Sequence, residues 1–269
     1  MTGQLPQINL EAREEFRQKA VSFGLNPDDK WIGGYVEYEW GKLKHTLDVV
    51  LDKDKVKILE FGCNIGASAV IAALCGHVVY AVDIKQKNIE LANLNAAQYG
   101  VGEQIFFTLI NPTDPLPYDD AFFDAIICNS VLEYVNDECL KQVLKQLDRV
   151  LKPDGKIIIT GTSNRMAPKE VHKGKWFINY FPKSLGKLIY GNKKYQIGLH
   201  PFRVLRAFKG YENIDLLDNG KLYLEIKKRF GLSSLNLNIL RFLKRVLRPF
   251  KISVGLLTPS FSVNLRKPK

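Results

Sequence analysis

From Val56 onward the chain alternates short apolar runs with stretches of helical period. The runs at 56–61, 78–82, 104–110, 124–129 and 156–161 are bounded by turn residues and read as strands. The stretches at 66–75, 86–99 and 137–151 carry apolar positions three and four apart and read as helices. Strands joined by crossover helices form a parallel, doubly wound sheet with helices on both faces, because each buried strand needs apolar cover on its two sides. Ahead of this pattern, Leu10 to Phe23 and Gly41 to Leu51 read as helices joined by the aromatic stretch WIGGYVEYEW, Trp31 to Trp40. Beyond Gly161 the alternation weakens into a loop-rich stretch to about residue 200, a helix near 202–209, a short strand near 213–217 and helices across 221–248. A last strand lies within 259–267, where Phe261, Val263 and Leu265 alternate with Ser260, Ser262 and Asn264. The expected organisation is an N-terminal helical cap at 1–55, a core at 56–161, and a C-terminal region at 162–269 made of loops, a basic helical insertion and closing strands.

Composition adds a class and a compartment. With 46% hydrophobic and 25% charged residues, the chain is of globular rather than disordered type. The four cysteines, at 63, 75, 128 and 139, form no CxxC pair and have no histidines at zinc-site spacing, so they read as reduced core thiols, and no metal is expected. The first thirty residues hold Glu11, Arg13, Glu14, Glu15, Arg17 and Lys19 and no continuous apolar stretch, and the longest apolar run, Ala67 to Val82, is interrupted by Ser68, Gly76 and His77. A cytoplasmic location is the expectation. Charge is divided unequally: residues 1–150 carry 14 basic and 22 acidic side chains, residues 151–269 carry 25 and 6. The second half therefore faces an anionic surface or presents a solvated basic face.

Candidate chemistry begins at KILEFGCNIGASA, 57 to 69, where a buried strand ends in an acid and a turn with Gly62, Asn64 and Gly66 opens a helix. Such turns let the backbone approach a nucleotide-like ligand without side chains in the way. Asn64 stands where a further glycine is expected, and Asn tolerates positive φ. Asp83 ends the next strand, 21 residues after Gly62, where a carboxylate accepts ribose hydroxyls. This spacing also fits a dinucleotide-binding dehydrogenase.

Four consecutive stretches resemble the class I S-adenosylmethionine-dependent methyltransferases. LEFGCNIG looks like the family's first motif and AVDI, 81 to 84, like its second; LPYDDAFFDAIICNSVLEYV, 116 to 135, and LDRVLKPDGKIIIT, 147 to 160, are similar to its later strand and helix signatures. The resemblance covers the core and implies a Rossmann-like seven-stranded sheet, S-adenosylmethionine as cofactor and methyl transfer as activity. It implies that Glu60, Gly62, Cys63, Asn64 and Gly66 surround the methionine portion, that Asp83 holds the ribose, and that Ile84 packs on the adenine. Asn111 and Thr113 lie where the family places a group beside the adenine amine, and Asn129 ends the fourth strand toward the cofactor's amino-acid end. Tyr134 stands where the family commonly has histidine, so the resemblance places no base there. N-terminal helices in this family fold over the cofactor, which makes Tyr35, Tyr38 and Trp40 a candidate lid; packing of the cap helices is the other reading.

For acceptor and base, the loop after the fifth core strand reads TSNRMAPKEVHKGKW, 162 to 176. It offers His172 and Glu170 as candidate bases and Asn164 and Arg165 as acceptor ligands, since an imidazole near its ordinary pKa removes a hydroxyl proton at neutral pH. DNA amino-methylating enzymes carry an Asp/Asn-Pro-Pro-Tyr/Phe motif where this chain has CNSV, cytosine-C5 enzymes need a Pro-Cys nucleophile, and catechol-type enzymes need a carboxylate cluster where only Asn129 stands. Nucleic acid is therefore disfavoured, with RNA methylation through the basic C-terminal half and non-catalytic cofactor binding as the alternatives. The stretch LNLNILRFLKRVLRPFK, 235 to 251, places Ile239, Leu240, Phe242, Leu243, Val246, Leu247 and Phe250 on one side and Arg241, Lys244, Arg245, Arg248 and Lys251 on the other. That is the layout of a helix at an anionic membrane surface, and equally of a helix packed on the domain. A second basic-apolar patch lies at 181–194. The expectation is O-methylation of a small amphipathic, lipid-linked or saccharide-containing acceptor, with peripheral membrane attachment.

Overall fold

A computed structural model describes residues 5–51, 55–172, 174–191, 197–229 and 231–269. Seven strands form one mixed sheet: β1 (Lys57–Phe61), β2 (Val78–Asp83), β3 (Ile105–Leu109), β4 (Phe123–Asn129), β5 (Leu151–Ser163), β6 (Glu212–Asn213) and β7 (Ser260–Arg266), in the order β3-β2-β1-β4-β5-β7-β6. β1 runs parallel to both β2 and β4, β2 runs parallel to β3, and β6 and β7 are antiparallel. The chain moves outward from β1 to β3 and then returns to the other side of β1. This reversal is the switch point at which doubly wound sheets bind ligands beyond the strands' carboxyl ends. The central strands are apolar throughout because they are buried on both faces: Ile58, Leu59, Val79, Ala81, Ile126 and Ile127 have no exposed surface.

The chain divides into two compact units, Met1–Ile127 with Val150–Lys156, and Cys128–Arg149 with Ile157–Lys269. In the first, α1 (Leu10–Ser22) starts at Asn9, whose side chain accepts from the N–H of Ala12. Its Phe16 and Ala20 pack with Ile65, in the turn that leads into α3 (Ala67–Leu74), and with Leu91 of α4 (Gln86–Gln98), so the N-terminal helix shares a core with the sheet's own connections. α2 (Tyr35–Val50) packs on α3 and starts inside the aromatic stretch rather than after it. The reason is its buried stripe: Val36, Glu39, Leu43, Thr46, Leu47 and Val50 repeat every three or four residues from the first turn.

In the second unit, α5 (Asp137–Val150) precedes β5, and the expected loop-rich stretch contains a short helix, α6 (Lys183–Tyr190), before α7 (Pro201–Ala207). The strand expected near 213–217 reduces to Glu212 and Asn213, paired with Arg266 and Leu265. Asn213 then accepts from the N–H of Asp215 and starts the short helix α8 (Ile214–Leu217) instead. Asp215 is buried, where its carboxylate accepts from the backbone and side-chain N–H groups of Asn264. Burial pushes its pKa up to about 6.

α9 (Lys221–Arg229) and α10 (Ser234–Leu247) follow, and the apolar residues of α10 do not share one side as expected. Leu237 and Leu240 are buried, and Leu243 and Leu247 pack on the cluster of Tyr223, Leu240 and Val254. Leu235, Ile239, Phe242, Val246 and Phe250 are left exposed, Phe242 at 63%. Seven apolar positions in this stretch span a wider arc than one packed face covers. Regular helix ends at Leu247 and a 3-10 turn, Arg248–Phe250, follows at Pro249.

Candidate active site

The first group of site residues lies in the first unit, at the carboxyl ends of β1 and β2. Gly62, Asn64 and Gly66 all take left-handed backbone, with φ of 74°, 50° and 75°. The N–H groups of Gly62 and Cys63 donate to the carbonyl of Val82, which ties the turn to β2. Asp83 completes the tie: its carboxylate accepts from the N–H of Asn64 at 2.9 Å, the N–H of Lys85 at 2.9 Å and Asn88 Nδ2 at 3.0 Å. Gly66 heads α3, and a Cβ there would lie 3.0 Å from Ala92 Cβ and 3.1 Å from the Phe107 ring.

Beneath the turn, Glu60 is buried, accepts from the Ser68 side chain and the N–H of Ala69, and has its pKa pushed up to about 8, mainly by burial. Its Oε2 has no hydrogen-bond partner among the described residues. Cys63 is buried and its thiol is pushed well up by burial, so it packs rather than reacts. Ile84, beside Asp83, is 53% exposed, an apolar side chain left for something to cover. Asn111 and Thr113 are exposed, and Thr113 Oγ1 donates to Asn111 Oδ1 at 3.1 Å. Tyr35 and Tyr38, with Trp31, form a ring cluster at the start of α2 with centroids 5.0 to 6.4 Å apart, and Trp40 is half-buried on the same helix.

This turn fits S-adenosylmethionine. A buried carboxylate with an unpaired oxygen is matched by a ligand carrying an ammonium and a sulfonium, since a nearby cation favours the ionised acid. Left-handed glycines leave the backbone bare, and the exposed Ile84 offers an apolar surface for a purine.

The second group lies in the second unit, after β4 and β5. Asn129 is buried at the end of β4, and Ser130, at φ 50°, donates its hydroxyl to the carbonyl of Gly161. Gly161 has φ of 69°, and a Cβ there would meet Ser130 Oγ and lie 2.6 Å from Asn129 Oδ1. The 3-10 turn Leu132–Tyr134 carries Glu133, whose side chain has no exposed surface. Glu133 Oε1 accepts from the N–H of Ser163 at 3.1 Å and lies 2.8 Å from His172 Nε2. Its other oxygen has no hydrogen-bond partner among the described residues. The His172 ring is a quarter exposed, and the Tyr134 ring centroid is 5.8 Å from it.

Two candidates of this loop are buried. Glu170 has no exposed surface and its Oε1 accepts from the N–H of His172, so in this structure it holds the loop backbone. Asn164 is fully buried too: its Nδ2 donates to the carbonyls of Leu256 and Thr258 and its Oδ1 accepts from the N–H of Met166, which commits the amide to backbone. Arg165 is half-buried at the wall of a cavity of about 780 Å³ that Glu133 and Tyr134 also line. Glu133 is the residue that sequence reasoning missed. It sits inside LPYDDAFFDAIICNSVLEYV, 116 to 135, but its partner is 39 residues away and no spacing rule joins them.

Residues 59–159 match the family model described as a methyltransferase domain. Two relatives are ubiquinone biosynthesis O-methyltransferases. That of Rickettsia conorii is 36% identical over 114 residues, 42% of this chain and 37% of the relative. That of Rickettsia prowazekii is 32% identical over 130 residues, 48% of each chain. The match thus spans less than half of the length of either relative. The YcgJ protein of Bacillus subtilis shares the fold, with a TM-score of 0.52 at 16% identity over 85% of this chain and 98% of that one. By its motifs, its site geometry and its sheet, the matched region is a class I S-adenosylmethionine-dependent methyltransferase domain, and its cofactor is S-adenosylmethionine.

Two outcomes test this geometry. Gly66→Ala forces a side chain into left-handed backbone and against Ala92 and Phe107, and is expected to lower stability by about 1–3 kcal/mol in denaturant melts. For Glu60, a folded-state pKa raised from 4.5 to about 8 means that the folded chain keeps a proton the unfolded chain has released. Its contribution to stability is present below about 4.5 and is lost as the pH rises toward about 8. Glu60→Gln keeps an acceptor oxygen and removes the titration, so the variant's melting temperature gains on the wild type between pH 5 and pH 8; a difference independent of pH counts against the raised pKa.

Proposed function

We propose that this protein transfers a methyl group from S-adenosylmethionine to an oxygen of a small amphipathic acceptor, lipid-linked or saccharide-containing, with His172 as base and Glu133 as its positioning residue. The observation that carries the reading is the 2.8 Å approach of His172 Nε2 to a fully buried carboxylate. A carboxylate is acceptor-only, so Nε2 carries the proton donated to Glu133 and the basic lone pair falls on Nδ1. A hydroxyl is a poor nucleophile until its proton leaves, and Nδ1 takes that proton while Glu133 balances the imidazolium charge. When bound, the cofactor would supply an electrophilic methyl carbon on a positive sulfur, with a neutral thioether as its leaving group. Glu60 and Asp83 would hold its amino-acid and ribose groups, with Gly62, Asn64, Gly66 and Asn129 beside them, and Ile84, Asn111 and Thr113 would meet the adenine. Tyr35, Tyr38 and Trp40 cover the cofactor and help exclude water. Oxygen as the methylated atom is supported by the candidate base and by the O-methyltransferase names of the Rickettsia relatives.

The second part of the proposal is peripheral attachment to an anionic membrane surface. The exposed side of α10 and the turn after it interleaves Phe242, Val246 and Phe250 with Arg241, Arg245, Arg248 and Lys251. Each cation near an anionic leaflet contributes about 1 kcal/mol, and the apolar side chains add burial. α6 exposes Leu185, Leu188 and Ile189 in the same unit. No helix among the described residues is long and apolar enough to cross a membrane.

The activity is tested with methyl-labelled S-adenosylmethionine and a cell extract, separated into organic, small-molecule, polysaccharide and RNA fractions. Label in the organic, small-molecule or polysaccharide fraction is the expected result; label only in RNA, or none, overturns the reading. His172→Ala is expected to lower kcat by roughly a hundredfold or more with unchanged cofactor Kd, partly restored by added imidazole. Glu133→Gln lowers kcat more than it changes KM, with partial rescue by Glu133→Asp, and Asp83→Ala instead weakens cofactor binding. Unchanged turnover in the His172 and Glu133 variants removes the assignment. For attachment, the protein is expected to sediment with anionic vesicles at low salt and to be released at high salt. The double variant Phe242→Ser, Val246→Ser should lose binding several-fold with cofactor affinity intact, and absence of sedimentation at low salt rules attachment out.

A further inference from the structure

The cavity beside Glu133 has a composition that methyl transfer alone does not call for. Arg165, Lys187, Arg203 and Arg206 line it, with His200, against two carboxylates, Glu133 and Asp137. Both acids are already engaged, Glu133 by His172 and Asp137 by Arg203. Arg165, Lys187 and Arg206 have no acidic partner among the described residues. Uncompensated cations around a concave, partly apolar space focus a positive potential on its interior, and guanidinium groups match the paired oxygens of a carboxylate or phosphate.

The wall that carries these groups is built, not incidental. Leu199 donates its N–H to the carbonyl of Ser163 and accepts from the N–H of Arg165, so the segment holding His200 runs against the segment holding Arg165. Gly198 makes that approach possible: a Cβ there would lie 2.6 Å from Arg165 N and 2.7 Å from the Ser163 carbonyl oxygen. Asn179 pins the same place, accepting from the N–H of Gly198 and donating to the carbonyls of Asn164 and Ala167. Leu132, Ile197 and Phe202 supply apolar lining between the cations.

We infer that this cavity binds the acceptor through an oxyanion, a phosphate or a carboxylate carried on an apolar body, so that the molecule methylated is an organic anion. The inference rests on the methyltransferase reading above and names the substrate class for the site next to its base. Phosphate and carboxylate share the chemistry that Arg165 and Arg206 recognise, and a titration separates them.

The full chain is titrated calorimetrically with inorganic phosphate and, separately, with benzoate, and S-adenosylmethionine binding is measured in parallel. Saturable binding of either anion is expected, weakened tenfold or more by Arg165→Gln or Arg206→Gln, with cofactor affinity and melting temperature unchanged. Tighter binding of phosphate identifies a phosphoryl-bearing acceptor, and tighter binding of benzoate a carboxylated one. Lys145→Gln removes an exposed cation of α5 outside the cavity and should leave binding as it is. The inference is overturned if neither anion binds saturably, or if Lys145→Gln weakens binding as much as the cavity variants do. Methyl transfer without anion binding overturns this site alone, whereas loss of cofactor binding in the wild type overturns the reading beneath it.

Discussion

The first unit depends on one carboxylate. The turn after β1 places Gly62, Asn64 and Gly66 in left-handed backbone, which is unfavourable for any residue with a Cβ and entropically costly for glycine. Asp83 offsets this by accepting from the N–H of Asn64 while also holding Lys85 and Asn88 at the start of α4. The same group therefore sets the shape of the cofactor turn and joins it to β2 and to the next helix. With the turn fixed, α3 begins at Gly66, Glu60 is sealed beneath it and Ile84 is left at the surface.

The second unit is held at its site by polar rather than apolar contacts. Glu133, Glu170, Asn164 and Asn179 have side chains with little or no exposed surface, and each accepts from or donates to backbone of the segments around the loop after β5. Buried polar groups of this kind are costly when unpaired, so the hydrogen bonds these side chains make to backbone favour the loop conformation that keeps them. This is how His172, on a loop with little apolar content, comes to lie against a carboxylate. Part of the basic excess of the C-terminal half lines the cavity and part lies beside the exposed apolar stripe of α10.

Much of the fold was legible because it rests on local pattern. The core strands and helices from β1 to β5 lie where apolar periodicity places them, although β5 is longer than its apolar run, starting at Leu151. The left-handed turn was readable from Gly62, Asn64 and Gly66 because φ preference belongs to each residue alone. The misplaced elements are those whose neighbours decide: α2 begins at Tyr35 because its first turn already has a surface to bury, and the strand near 213 stops where Asn213 and Asp215 find hydrogen bonds in a helical turn.

By itself, then, the sequence determined the strand and helix order, the glycine turn and the acid that ends β2, since period and backbone preference act within a few residues. Tertiary structure alone decided that Glu133 pairs with His172, that Asn164 is consumed by backbone, and that Arg165, Lys187 and Arg206 face one space. It also decided which apolar face of α10 is covered and which is left bare. These outcomes turn on which distant groups arrive within hydrogen-bonding or packing distance of one another, and that depends on the folded path between them.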